Sequence, residues 1–489
     1  MNIGMTWAFD VNFIILTFKK NLTRGNMQMN SIFRYLGTVL SVFLIWGAGD
    51  SKAETLQDAV GHMLLTNPEV RAIGYNRLAR DEEVKQAEAG YGPTLDILTS
   101  YGVEGQDHPV EDHTWPRSTV LSLRQNVFRG FADKYEIERQ KARVNSAAYL
   151  MQGTSENIAL VTSRAYLNVL RQLELLELAK ENLATHQRIF DQIKLRSESG
   201  IDRGADLDQV MGRLALAESD VVVSEANLAD AETDYQLTVG RIPANLVKPN
   251  PVDSFMPASL EEAQQLALDN YPILKSAKAD LEAREAQYNV AKSNYYPKLD
   301  LIAEKKWEEY VDIPQYEEEL SATAVLRFNI FSGLRHKARI AETCYLVKEA
   351  REIHNNTYRQ IVESIRLSWV AYQSAQNRII YLNDYVKATG STAEAFSKQW
   401  NIGRRTMFDV LDIEAELINA KIDLVNSQYD NIYSQYRILS NMGQLVHTLG
   451  LQWPKDSIVE GDQPALKEKE DVPVMEKSAK KEDKENGGV

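Results

Sequence analysis

The feature that most constrains this chain is an internal repeat that covers most of its 489 residues. Matching residues of the first half recur 204 positions later, for example from Pro93 to Pro297. Farther along, after one slipped residue, the separation is 203, as from Gly200 to Gly403. Solenoid repeats are about 20–50 residues long, so this is the duplication of a half-protein. We therefore expect two structural repeats, 54–250 and 251–454, that build the same elements in the same order.

Each repeat predicts a β-hairpin that follows a helical segment. Pro93 and Pro297 end the helical segments, because proline cannot continue a helix. Apolar and polar residues then alternate across 94–128 and 298–331, in runs of about 10 residues, the length of a tilted membrane strand. A polar loop is expected between the two runs of the first hairpin. Alternation alone also fits two ordinary hairpins on a soluble domain.

The alternation assigns a side of the sheet to individual side chains. We predict that Ile97, Leu123, Leu301 and Leu326 face lipid. Serine, acidic and basic residues occupy the alternate positions and suit a wet lumen.

Very long helices are predicted after each hairpin. Residues 131–199 and 334–401 contain no proline, and an unbroken helix of that length spans roughly 100 Å. Apolar or small residues then recur every seven positions, from Leu207 to Tyr235 and from Val410 to Ile438, which predicts coiled-coil packing. The fold class is therefore mainly α with a small β part.

The amino-terminal residues carry an export signal. A basic residue, an apolar run and small residues before the cleavage point fit a signal peptide over 29–53, with cleavage between Ala53 and Glu54. Residues 1–28 fit an over-extended start, with translation beginning at Met27 or Met29, or alternatively a long signal-anchor. With no cysteine near the cleavage point, a lipoprotein anchor is not expected.

Beyond Ala53 no apolar run reaches the roughly 20 residues that a membrane helix needs. A membrane crossing would then have to be a closed β-barrel. The smallest membrane barrels have about eight strands, so a chain with four strands must oligomerise, as a dimer, trimer or larger ring. A mixed-charge tail, 455–489, is expected to be disordered.

Composition argues against several other functions. The net charge of −14 argues against a nucleic-acid partner. Cys344 is the single cysteine, so neither an intrachain disulfide nor a thiolate cluster is possible. His108 and His113 share an acidic loop, which fits a solvated external loop better than a cation site. Without a nucleophile elbow, phosphate loop or zinc pair, we expect no enzyme, no cofactor and no metal site.

Three motifs that occur in the same order along the chain make it resemble the TolC family of outer-membrane efflux and secretion proteins, over about 54–451. They are the twin Pro-X-Leu-Asp strand entries, the twin Asn-X-Phe-X-Gly strand exits, and the segment 403–412. The resemblance implies a homotrimer, with a twelve-strand barrel in outer-membrane lipid above a periplasmic helical tunnel. The sequences of segments 125–142 and 200–213 look most like those of the type I secretion branch that exports adhesins.

The resemblance also implies a function and partners. A type I duct works with an inner-membrane ABC transporter and a periplasmic adaptor. Efflux of small toxic molecules is the alternative, because a passive tunnel does not select its cargo. A second alternative is a periplasmic coiled-coil scaffold without a pore.

Four residues match the narrow periplasmic entrance of that family. Asp409 and Asp412 match its acidic ring, and Arg405 matches a basic residue of the latch that keeps it shut. Trp400 stands where many members have tyrosine, which matters because indole donates but does not accept a hydrogen bond. Thr406 and Asp409 alternatively form a capping box at a helix start.

Overall fold

A computed structural model describes residues 53–106, 112–199, 204–311 and 315–459. The predicted leader before Ala53, residue His108 of the polar loop, and residues from 460 onward lie outside this range. The chain forms two units, and of the described residues the smaller contains Ala53, Glu54 and Ala244–Val247. Within it, Glu54 forms a parallel bridge to Leu246. Cleavage before Glu54 stays a prediction.

The larger unit contains both repeats, and their elements follow the same order. The first repeat comprises α1 (Leu56–Thr66), α2 (Pro68–Glu88), β1 (Pro93–Tyr101), β2 (Glu104–Gln106), β3 (Asp112–Thr114), β4 (Pro116–Phe128), α3 (Ala132–Glu198) and α4 (Gly204–Val239). The second comprises α5 (Leu260–Asn270), α6 (Pro272–Lys292), β5 (Lys298–Tyr310), β6 (Gln315–Arg327), α7 (Arg335–Asn401) and α8 (Met407–Asn441), and a short α9 (Leu445–Thr448) follows. The mainly helical fold class is confirmed, and both long helices, α3 and α7, have 67 residues.

The first helical segment of each repeat is divided in two, where the sequence pattern suggested one. The Asn67 side chain caps α2, and Pro68 and Pro272 occupy the first positions of α2 and α6. Proline lacks the N–H that would continue the preceding helix, but its fixed φ suits a helix start. The first hairpin also differs from expectation, since β2 and β3 form a small separate ribbon and β3 falls within the polar loop predicted over 108–117.

The four longer strands form one antiparallel sheet in the order β1-β4-β5-β6. The register of strand pairing is also repeated between the two hairpins. Leu95 lies opposite Leu123 in the first hairpin, and the equivalent residues Leu299 and Leu326 lie opposite each other in the second. Within the described residues, β1 and β6 each pair with one strand only, so the sheet has two free edges.

Both hairpins pass into a long helix through two consecutive residues with left-handed backbone. Gly130 and Phe131 have φ of 64° and 66°, and Gly333 and Leu334 have φ of 63° and 66°. Glycine adopts this region without the steric penalty that other residues incur. At Gly130 a Cβ would also lie 2.6 Å from the carbonyl oxygen of Ser293. The strand-exit motif therefore ends in glycine for a conformational reason in both repeats.

The seven-residue pattern of the first repeat becomes a buried helix seam. Its buried members in α4 are Val210, Leu214, Ala217, Ala231 and Tyr235. Small residues such as alanine let two helices approach closely, so α4 can pack along α3 over much of its length.

A buried carboxyl group anchors the end of the described chain to the middle of α3. Glu156 is completely buried and accepts hydrogen bonds from the N–H groups of Leu445, Val446 and the Trp453 indole, at 3.0, 3.3 and 2.9 Å. The ordered chain also passes the boundary predicted at 454, because Gln152 donates to the carbonyl of the buried Ser457 at 2.8 Å. Ser457, which falls in the segment expected to be a disordered tail, therefore packs against α3, and the rest of that prediction lies on residues outside the described range.

Glu156 makes stability depend on pH. Burial raises the pKa of Glu156 to about 8, although the three donors lower it in part. In the folded state the group holds its proton between an ordinary pKa near 4.5 and about 8, whereas in the unfolded state it releases it. The free energy of unfolding should fall as pH rises through this window, by at most about 1.4 kcal/mol per pH unit. Thermal unfolding of wild type and Glu156→Gln between these pH values tests this, because the amide should remove the slope; equal slopes would contradict it.

Candidate functional site

A short turn, 402–406, joins α7 to α8 at one end of the helix pair. Gly403 has φ of 73°, and its N–H donates to the carbonyl of Trp400 at 2.9 Å. The N–H of Arg404 donates to the carbonyl of Gln399, also at 2.9 Å. These bonds satisfy carbonyl groups at the end of α7, so the chain reverses within a few residues.

Asp409 forms the predicted capping box with Thr406 at the start of α8. The Asp409 N–H donates to the Thr406 hydroxyl at 3.3 Å, and the Asp409 carboxylate accepts from the Thr406 hydroxyl and N–H at 2.8 and 3.1 Å. Hydrogen bonds from Thr406, together with the charge of Arg405, hold the pKa of Asp409 below its ordinary value. Asp409 is therefore a helix cap that also carries a negative charge at neutral pH.

Arg405 contacts three side chains of its own chain. A guanidinium nitrogen lies 3.6 Å from the Asp409 carboxylate, and Nε donates to the Gln399 side-chain oxygen at 3.3 Å. The guanidinium carbon lies 4.0 Å from the centre of the Phe396 ring, a cation–π arrangement. Its predicted role in a latch between neighbouring helices stays a prediction.

Asp412 is highly exposed and lies one helical turn after Asp409. Its carboxylate accepts from the guanidinium of Arg213, which belongs to α4 of the first repeat, at 3.3 Å. Sequence reasoning missed Arg213, because it is 199 residues from its partner and no local pattern connects the two.

Trp400 lies inside the protomer instead of on its surface. Its side chain belongs to a hydrophobic cluster, here called the tip cluster, in which α3 and α4 meet α7 and α8. The tip cluster comprises Ile189, Ile193, Val210, Trp400, Met407, Val410 and Leu411. The guanidinium of Arg196 lies 5.4 Å from the Trp400 ring centre. In the protomer, Trp400 therefore packs the two helix pairs together, and a role in a latch stays a prediction.

The four side chains predicted to face lipid share one face of the sheet. The pairing places Ile97 and Leu123 on the same side, and Leu301 and Leu326 continue that side across β5 and β6. All four are exposed in the protomer. The opposite face is mainly polar, although Leu98, Val120 and Ile302 also lie on it, and there the Ser122 hydroxyl donates to the Glu304 carboxylate at 3.0 Å.

Among the described residues, no helix is long and apolar enough to cross a membrane. Within the same ranges, no group of three or more metal-binding side chains comes together.

The sequence of this chain matches a family model. The model of the Outer membrane efflux protein family matches residues 59–241 and 263–444, one segment in each repeat. The chain belongs to this family.

Three bacterial proteins are similar to this chain over most of their own length. The efflux protein BepC of Brucella suis is 22% identical over 82% of this chain and 88% of its own length. TolC of Escherichia coli is 24% identical over 76% of this chain and 78% of its own. The proteases secretion protein PrtF of Dickeya chrysanthemi is 22% identical over 79% of this chain and 88% of its own.

Solved structures of outer membrane efflux proteins share the fold. The outer membrane protein VceC of Vibrio cholerae superposes with a TM-score of 0.70 and 16% identity, over 80% of this chain and 96% of its own. The CusC channel gives 0.71 and 16%, over 80% of this chain and 92% of its own.

Membership confirms the resemblance to the TolC family and settles the class of function. The chain is an outer-membrane channel protein of efflux or secretion type, with its helical part in the periplasm. The alternative of a scaffold without a pore was wrong. The expectation that the chain is not an enzyme agrees with a family of channels.

The tip cluster predicts that Trp400 stabilises the ends of the helix pairs. Trp400→Ala should reduce stability by about 3–5 kcal/mol, because it removes a large buried ring. We expect faster proteolysis at the turn 402–406 and a lower melting temperature. Trp369→Ala is the matched control, since Trp369 lies on the same helix but is only partly buried and outside the cluster. Equal effects of the two substitutions would contradict this role.

Proposed function

We propose that the chain is the outer-membrane exit duct of a type I secretion system. It would receive a protein from an inner-membrane ABC transporter and a periplasmic adaptor and release it outside the cell. The observation that carries this proposal is the similarity to the secretion protein PrtF across both repeats. The proposal is also supported by the sequences of segments 125–142 and 200–213, which resemble those of the adhesin-exporting branch.

Efflux of small toxic molecules is the second candidate, because the similar protein BepC is named for efflux. The two are distinguished in a strain that lacks this chain. The proposal predicts loss of a protein from the culture medium and unchanged tolerance of detergents, dyes and antibiotics. Unchanged secretion with lost tolerance would overturn it in favour of efflux. Complementation with the wild-type chain is the control.

A trimer is the assembly that we propose. Three copies of the four-stranded sheet give a barrel of twelve strands, which leaves no free edge. Closure matters because backbone N–H and C=O groups find no water in the bilayer core. In such a barrel the apolar face of the sheet would contact lipid, and the polar face would line the lumen.

The internal repeat gives the strand register between copies. Inside the chain β4 pairs with β5, and Leu123 lies opposite Ala303. In the repeat, β6 corresponds to β4 and β1 corresponds to β5. The equivalent contact pairs β6 with β1 of the next copy and places Leu326 opposite Thr99 of that copy.

The lipid-facing assignment predicts a contrast between the two faces of the sheet. Arginine at Ile97, Leu123, Leu301 or Leu326 should destabilise the trimer by roughly 2–4 kcal/mol near the bilayer midplane, because a charge there loses its hydration. Arginine at Ser100 or Ser122, on the opposite face, is the matched control and should be tolerated. Heat stability of the trimer on gels measures both. Equal damage on the two faces would defeat the assignment.

At the periplasmic entrance, threefold symmetry would turn Asp409 and Asp412 into two rings of three carboxylates. A narrow mouth with low-dielectric walls focuses the field of such rings, so they attract cations and repel anions. Arg405 contacts Asp409 and Phe396, and through these contacts it would hold the turn in a closed position.

This entrance is tested by substitution of both aspartates. Asp409→Ala with Asp412→Ala should weaken cation selectivity and block by multivalent cations in planar bilayers, while trimers still form. Thr406→Ala is the control, because it removes the helix cap but keeps both carboxylates. Substitution of Arg405 should raise the resting conductance. If the double variant selects and blocks like wild type, the aspartates are only part of the helix start.

A further inference from the structure

Arg213 brings a positive charge from the first repeat to the acidic start of α8 in the second. The guanidinium lies 3.3 Å from the Asp412 carboxylate, and the exposed fractions of the two side chains are 37% and 73%. The pair is therefore in contact with solvent at the end of the helix bundle.

The first three turns of α8 carry four acidic residues, of which Asp412 has Arg213 as its counter-ion. Asp409 is held by Thr406 and Arg405, and Glu416 accepts from the Tyr385 hydroxyl at 2.6 Å. Glu414 is partly buried, and burial raises its pKa. The Asp412 carboxylate contacts the guanidinium of Arg213.

The surroundings of Arg213 leave its charge available to Asp412. His186 of α3, whose pKa the charge of Arg213 affects, is a buried imidazole, and its Nδ1 has no hydrogen-bond partner among the described residues. Burial, followed by the nearby charge of Arg213, lowers the pKa of His186, whereas Asp220 raises it. At neutral pH the imidazole is therefore largely uncharged, and the positive charge in contact with Asp412 comes from the Arg213 guanidinium.

The Arg213–Asp412 ion pair has no equivalent at the corresponding positions of the other repeat. With a separation of 203 residues, the position of Arg213 corresponds to Glu416, and the position of Asp412 corresponds to Gln209. The ion pair is therefore not duplicated, and each chain has one. In a threefold assembly three guanidinium groups would compensate the three Asp412 carboxylates.

We propose that Arg213 is a selectivity-determining residue of the channel entrance, where it acts as the counter-ion of Asp412 and limits the attraction of cations. This rests on the proposed entrance rings. Arg213 should affect the binding of ions at the entrance more than the stability of the fold, since exposed ion pairs contribute little to stability.

Arg213→Gln tests this in the full-length protein, reconstituted as trimers in planar bilayers. Removal of three positive charges at roughly 10 Å from a bound ion should strengthen block by hexamminecobalt(III) on the order of tenfold at 0.1 M salt. The reversal potential should shift toward greater cation selectivity. Arg213→Lys should remain close to wild type, because it keeps the charge.

Arg378→Gln is the matched control. Arg378 forms the same kind of exposed pair with Asp423, at 3.2 Å, but about three turns farther along α8. It should change the block much less than Arg213→Gln. An equal change would mean that any tunnel charge has this effect and would overturn the assignment of Arg213.

The combination of Arg213→Gln with Asp412→Ala decides whether the two residues act together. We expect the double variant to be blocked less than Arg213→Gln, because it lacks the carboxylates whose charge the guanidinium groups compensate. If block responds to the aspartates but not to Arg213→Gln, the counter-ion proposal fails and the entrance rings stand. If block is the same in wild type, in Arg213→Gln and in the double aspartate variant, the rings themselves are wrong, and both proposals fail.

Discussion

The free edges of the sheet constrain everything else in this molecule. Within the described residues, β1 and β6 each have one side with no strand beside it, so their backbone N–H and C=O groups on that side lack ladder partners. In lipid such groups would each lose several kcal/mol of hydrogen bonding. A second copy can supply the missing partners, and the duplication of the sequence means that its edge already has the right shape. The register of β4 against β5 is a template for that contact.

The helices follow from the same duplication. Each hairpin is followed by two left-handed residues, so α3 and α7 begin at equivalent points of the two repeats. Both helices are 67 residues long. Their far ends meet in the tip cluster, where Trp400 of the second repeat packs among residues of the first. The two repeats are thereby joined both at the sheet and at the turn, and the acidic start of α8 is held beside α4.

The sequence allowed much of this architecture to be predicted, because it depends on local or periodic signals. Absence of proline predicted α3 and α7, alternation predicted the hairpins, and the Thr406–Asp409 spacing predicted a helix cap. The breaks at Pro68 and Pro272 were as local but were overlooked. The contacts of Arg213 with Asp412 and of Glu156 with Trp453 could not be predicted, since each joins residues far apart in the sequence through the packing of helices.

The central claim is that β6 of one copy pairs with β1 of the next in the register of the internal repeat. Thr99→Cys with Leu326→Cys, in a Cys344→Ser background, tests it by mild oxidation in the outer membrane. Opposed residues of paired strands lie about 4.5–5.5 Å apart, within the reach of a disulfide. We expect covalently linked dimers and trimers on denaturing gels, and none from Thr94→Cys with Leu326→Cys, which is displaced by roughly 16 Å. Crosslinking through Thr94 instead of Thr99, or only monomers from both variants, would contradict the account.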